Sequence, residues 1–320
     1  MTDGKATRSE WRSVVADYAG MALALGLLIL VFSLATRHFF SPDTFRAIAN
    51  QIPAALLVAT GMTCVLMVAE IDLSVGSVLG LCGAVTGVAL TQWQWPLWAA
   101  VLAALVAGAL CGAFNGLVSV SWRLPSFIVT LGMMEMARGG AHAITQSQTQ
   151  YIGAKIEGIA GTTFCGLSLP FLLALLVVVA AQTVLSRAVL GRHIVAVGAN
   201  AEAARLSGID PRRTKVLVFV TSGLLVALAS VIDTSRFQSA NPNAGNGFEL
   251  QAIAAVVIGG TSLMGGRGSV MRTFFGVLII AVLNTGLATV GVRDEIKRII
   301  TGAVIVAAVI ADHYRHRLAR

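Results

Sequence analysis

The chain has 320 residues, 56% of them hydrophobic and only 12% charged, with a formal net charge of +8. Soluble domains carry about 25% charged residues, so a water-facing surface is excluded over most of this chain and lipid must cover it. Lipid leaves the backbone only helices or a closed barrel, and long unbroken apolar runs exclude the alternation of a barrel.

Ten hydrophobic segments follow in order, at roughly 18–36, 53–70, 73–91, 96–118, 125–145, 168–186, 215–235, 250–262, 270–291 and 297–311. The second and third nearly touch, as do the eighth and ninth, so the expected count is about ten spans, eight to ten. The fold class is all-α, a polytopic transmembrane helix bundle. The first run, Gly20 to Ala35, has no small-residue cleavage site behind it and reads as a retained span. Trp93, Trp95 and Trp98 around Pro96 fit an aromatic belt at an outer edge. With the N-terminus placed in the cytosol and ten spans alternating, 15 Lys and Arg fall inside and 7 outside, which predicts an N-in, C-in arrangement. The positive excess is therefore an orientation signal. No basic patch interleaved with aromatics points to nucleic acid.

Polar groups at membrane depth are costly, at roughly 2.5–3.5 kcal/mol each for ionised ones, so they mark cavities or partners. Between spans two and three, VAEIDLSVGS places Glu70, Asp72, Ser74 and Ser77 in a row, with Gly76 permitting a break. Two carboxylates two residues apart do not share a helix face, so an unwound or turn geometry is expected. The segment either lines a translocation path or forms a turn in which Asp72 caps span three. Asn115 in span four, Thr130 in span five and Asn284 in span nine are further path candidates, with helix–helix bonding the plainer role for each Asn. Pro125 opens span five. Within that span Glu135 and Arg138 stand i, i+3 and are predicted to form an intramembrane ion pair. Cys64, Cys82 and Cys111 lie in apolar spans and Cys165 precedes one. Neither they nor the five histidines have metal or redox spacing.

Two polar stretches break the pattern, an outside loop at 146–167 and an inside loop at 187–214. The inside loop carries a helix signal: Asn200 as N-cap, Glu202 in the first turn and Gly208 as the stop. Ala201, Ala203, Ala204, Arg205, Leu206 and Ser207 fill it. It is either a docking surface for another subunit or a solvated connector. Residues 254–270, AAVVIGGTSLMGGRGSV, are Gly-rich but lack the GK[ST] ending of a nucleotide-binding loop, so the chain has no recognisable ATPase. A sharp turn between close-packed helices is the reading of those glycines. No nucleophile elbow, HExxH or metal-spaced set appears, and no enzyme is expected.

IDLSVGS (71–77), LPSFIVTLGMMEMARG (124–139), GRHIVAVGANAEAARLSGI (191–209) and IAAVVIGGTSLMGGRGSV (253–270) together resemble the permease subunits of bacterial ABC importers for monosaccharides. This is the ribose, xylose, arabinose and galactose class, whose relatives include autoinducer-2 permeases. The resemblance implies a single transmembrane permease domain over 1–320, in the bacterial inner membrane. It implies a second permease copy or a paralogue, a cytoplasmic ATP-binding-cassette ATPase and a periplasmic sugar-binding protein as partners. It implies ATP and Mg on the ATPase, no cofactor on this chain, and a coupling helix at Asn200 to Gly208. Glu70 and Arg272 depart from the pattern, which commonly has Gly at both places. The rival expectation is an ion-coupled secondary transporter using Glu70, Asp72 or Asp233.

Overall fold

The computed structural model describes residues 3–164 and 166–318, so Cys165 lies outside the described residues. Among them, helices follow one another along the chain: α1 (Asp3–Ala35), α2 (Pro42–Gln51), α3 (Pro53–Met67), α4 (Val75–Thr91), α5 (Leu97–Ser121), α6 (Ser126–Thr145), α7 (Ala154–Gly161), α8 (Leu169–Arg187), α9 (Val189–Ala199), α10 (Ala201–Leu206), α11 (Pro211–Phe237), α12 (Phe248–Ile258), α13 (Val270–Thr289) and α14 (Asp294–Leu318). Strand pairing among the described residues is confined to two short antiparallel ladders. One joins Gln150–Tyr151 to Ser239–Ala240, the other Thr163–Phe164 to Leu167–Ser168.

Every one of the ten apolar segments contains a helix. By length and composition five described helices can cross a membrane: α1, α5, α8, α11 and α13. The bent pair α2 and α3, at 48°, makes a sixth if it is one span. Two of the remaining segments fall short for a common physical reason. α4 has 17 residues and α12 has 11, because irregular chain replaces helix at residues 68–74 and 241–247.

Leucines cover the outside. Leu23, Leu27 and Leu34 on α1, Leu102 and Leu110 on α5, and Leu176 on α8 are all exposed. Apolar surface on this scale is stable against lipid, as in a multi-pass membrane protein. Inside, α3 is almost wholly enclosed, with α8, α11, α12 and α13 around it. Helices approach closely where side chains are missing. Gly108, Gly112 and Gly116 recur every fourth residue along α5, and α11 lies against that stripe. A Cβ on Gly116 would sit 2.9 Å from Val216 Cα, and one on Gly108 would sit 2.7 Å from Ala227 Cβ. α1 leans on α13, with Tyr18 edge-on to Phe275 at 5.9 Å and Phe32 against Gly286.

Candidate functional site

α10 is set by local chemistry. The Asn200 side chain accepts from the Glu202 N–H (3.0 Å) and the Ala203 N–H (2.9 Å), which satisfies two of the free donors of the first turn. Gly208 turns the chain out at φ +84°, and the Ile209 N–H donates back to the Ala204 carbonyl at 3.0 Å. Arg205 grips Glu202 with two nitrogens, Nη2 to Oε1 at 2.6 Å and Nε to Oε2 at 3.1 Å. Those bonds hold the Glu202 carboxyl below the usual carboxylate range and raise Arg205. Ala204 is buried against the body of the protein, whereas Leu206 is 76% exposed. Beside α10 opens a cleft of about 1050 Å³, lined by charged groups that include Glu70, Arg123, Glu202, Arg205, Arg212 and Lys215.

The Gly-rich loop, read from sequence as a turn between close-packed helices, does more than turn. It fastens α10 to the bundle. The Gly266 N–H donates to the Met67 carbonyl at 2.9 Å, at the end of α3. Gly198, two residues before the Asn200 cap, packs on the same two groups; a Cβ there would overlap the Met67 carbonyl oxygen and lie 2.6 Å from Gly266 N. Gly265 meets Ala69 and the Gly198 carbonyl from the other side. Backbone thus meets backbone at one point from α3, α9 and the loop. Immediately after it, Glu70 forms an ion pair with Lys215 of α11.

Residues 69–74 are the irregular chain expected between spans two and three. Ala69 is left-handed at φ 59°. Non-helical backbone at membrane depth is tolerated only where its polar groups find partners. Here the Ile71 N–H donates to Ser126 Oγ (2.9 Å) and the Leu73 N–H to Thr130 Oγ1 (3.1 Å). Ser126 and Thr130 stand i, i+4 on α6 and so share a face. Asp72 Oδ1 accepts from the Ser74 N–H (2.9 Å) and the Ser74 hydroxyl (2.6 Å), and Asn115 Nδ2 donates to Ser74 Oγ at 2.9 Å. Asp72, Ser74 and Asn115 are therefore one buried network, and the buried Thr130 holds the backbone beside it at Leu73. Asn115 Oδ1 is left without a partner in it. Ser126 was not among the sequence candidates; its signal was its place four residues before Thr130. Asn284 lies apart on α13, where it accepts from the Thr301 hydroxyl at 3.3 Å.

The ion pair expected between Glu135 and Arg138 is not formed. Arg138 Nη1 instead donates to two carbonyls, Pro242 at 2.6 Å and Ala244 at 2.9 Å. The reason is geometric. Residues 240–245 run beside α4 from Gly87 to Gly76, which brings the Pro242 and Ala244 carbonyls, in need of donors, within reach of Arg138 on α6. Glycines make the passage possible: Gly76 meets Gly245, which is left-handed at φ +74°, and a Cβ on Gly80 would sit 2.9 Å from Arg138 Nη1.

The family described as branched-chain amino acid transport system / permease component matches this chain over residues 44–309. The ribose import permease protein RbsC of Haemophilus influenzae is 39% identical over 297 residues, which cover 91% of this chain and 92% of that protein. The D-allose transport system permease protein AlsC of Escherichia coli is 34% identical over 298 residues, 92% and 91% of the two chains. The xylose transport system permease protein XylH of Escherichia coli is 34% identical, covering 91% of this chain and 90% of that protein.

Proposed function

The chain belongs to the branched-chain amino acid transport system / permease component family, and from that membership we propose that it is the membrane-spanning permease subunit of an ATP-driven importer of a monosaccharide. Similarity to ribose, allose and xylose permeases over nine-tenths of the chain supports a sugar as cargo. The protein sits in the bacterial inner membrane as one permease domain of ten spans, N-in and C-in. It works beside a second copy or a paralogue. A periplasmic sugar-binding protein delivers the cargo, and a separate ATPase holds ATP and Mg.

The observation that carries the coupling reading is the build of α10. A six-residue helix locked by its own cap and ion pair presents Leu206 to solvent beside a charged cleft. A rigid element with an exposed apolar tip suits a groove on another protein. Closure of the ATPases on ATP pushes α10. The backbone junction at Gly198, Met67 and Gly266 passes that push to residues 69–74, and the bundle rocks between outward and inward openings.

The test is Glu202→Lys combined with Ala203→Arg, and separately Leu206→Asp. Each is expected to abolish copurification of the ATPase while the permease remains inserted in the membrane. Undiminished assembly would reject the coupling role. Sugar uptake that survives loss of the ATPase and collapses with a proton ionophore would replace the ATP-driven mechanism by an ion-coupled one.

A further inference from the structure

α11 begins at Pro211 beside α10 and ends at Phe237, so its last turns mark the opposite end of the bundle. There, α11, the bend between α2 and α3, α12 and α13 enclose a cavity of about 290 Å³. Its walls bring together Gln51, Asp233, Arg236, Phe248, Gln251 and Asn284. Phe237 adds a second ring, and the rest of the lining is alanine, valine and isoleucine.

A carboxylate so placed in an apolar span calls for an explanation. The Asp233 carboxylate makes no hydrogen bond among the described residues. Arg236, one turn further along α11, balances its charge, and its guanidinium also lies over the Phe237 ring at 5.0 Å from the centroid. Asn284 Oδ1 is held by Thr301, which fixes the amide and leaves Nδ2 unengaged among the described residues. The two glutamines add further donors and acceptors. The wall is thus rich in both halves of the hydrogen bond, close to neutral in sum, and bears an aromatic face.

That chemistry fits a neutral polyol. Hydroxyls both donate and accept, a carboxylate and a guanidinium hold adjacent hydroxyls in pairs, and the C–H face of a sugar ring packs on Phe. A lipid tail would leave the carboxylate unpaired in hydrocarbon, which is costly. Ligand cavities run from about 300 to 1,000 Å³, so this one holds a ligand of the smallest class. We propose that the cavity is a transit site for one monosaccharide, entered from the end of the bundle remote from α10. The proposal rests on the sugar-import reading. It places Asn284 on the path and assigns Asp233 to the sugar hydroxyls rather than to a coupling ion.

The test uses the whole complex, permease with ATPase and binding protein, in proteoliposomes, with radiolabelled ribose, xylose and allose as probes. Asp233→Asn is expected to lower ATP-dependent uptake at least tenfold, with Asp233→Glu retaining more. Ala281→Phe, which fills the cavity from α13, is expected to block uptake while the ATPase still copurifies. Gln251→Ala, at an exposed position that tolerates truncation, is expected to raise the apparent KM about threefold. Asp233→Asn and Ala281→Phe variants that transport within twofold of wild type would overturn the transit site. A wild-type complex that takes up none of these sugars, nor arabinose or galactose, would instead overturn the import reading itself.

Discussion

Gly198→Ala is the sharpest perturbation of the link between α10 and the bundle. The added Cβ would overlap the Met67 carbonyl oxygen, and would lie 2.6 Å from Gly266 N and 2.8 Å from the Met67 carbonyl carbon. All three are backbone atoms, so no rotamer change relieves the overlap. Overpacking of this kind costs about 1–3 kcal/mol. The chains must also part enough to break the Gly266 to Met67 hydrogen bond, now 2.9 Å, at a further loss of about 1 kcal/mol. A total of about 2–4 kcal/mol is expected. Gly132→Ala on α6 is the control, because a Cβ there meets nothing within 4 Å and stabilises a helix by about 0.5–1 kcal/mol. Thermal unfolding in detergent should therefore fall for Gly198→Ala and hold or rise for Gly132→Ala. α10 keeps its own cap, so Gly198→Ala should still bind the ATPase while uptake drops. A Gly198→Ala protein as stable as Gly132→Ala, with wild-type uptake, would refute the backbone junction as the mechanical link.

Lys215→Met strands Glu70, whose side chain is only 13% exposed, and should cost about 3 kcal/mol in thermal melts. Glu70→Gln with Lys215→Met should recover most of that; no recovery would deny the pair. Ser126→Ala and Thr130→Val leave the Ile71 and Leu73 N–H groups unpaired, at about 1–3 kcal/mol each, and hydrogen exchange at those two amides should speed up. The Glu202 carboxyl is depressed by Arg205, so the pair contributes above the ordinary carboxylate pKa and is lost as pH falls through the lowered one. Copurification of the ATPase should be flat from neutrality to about pH 5 and weaken below about pH 4. Weakening between pH 7 and 6 would point to a different group.

What was legible in the sequence was local. Asn200 to Gly208 was readable because its cap and its stop join residues within five positions of each other. The apolar segments were readable because lipid imposes one pattern on every span. The break at Glu70 and Asp72 was readable from two carboxylates that could not share a face. Its partners were not, since Ser126 and Thr130 lie 55 and 57 residues from the amides they accept from. The i, i+3 spacing of Glu135 and Arg138 misled for the same reason: carbonyls more than 100 residues away compete better for the guanidinium. Glu70 in place of the usual glycine and Lys215 in the inside loop looked like unrelated charges until the fold paired them.

The two irregular stretches have a helix in common. Ser126 and Thr130 hold residues 71–73 near one end of α6, and Arg138 holds 242–244 some 12 residues on, about 18 Å along the axis. The stretches approach each other where Gly76 meets Gly245. One is tied through Glu70 and Met67 to the junction beneath α10. The other leads into α12, whose face lines the cavity of Asp233 and Asn284. Hydrogen bonds to irregular backbone break and reform singly, whereas a continuous helix resists bending along its whole ladder. The soft part of this bundle is therefore the pair of stretches, and α6 is the rigid rod against which both are held. On the proposed mechanism, a push at α10 would reach the cavity by sliding those stretches along α6, with no span unwinding.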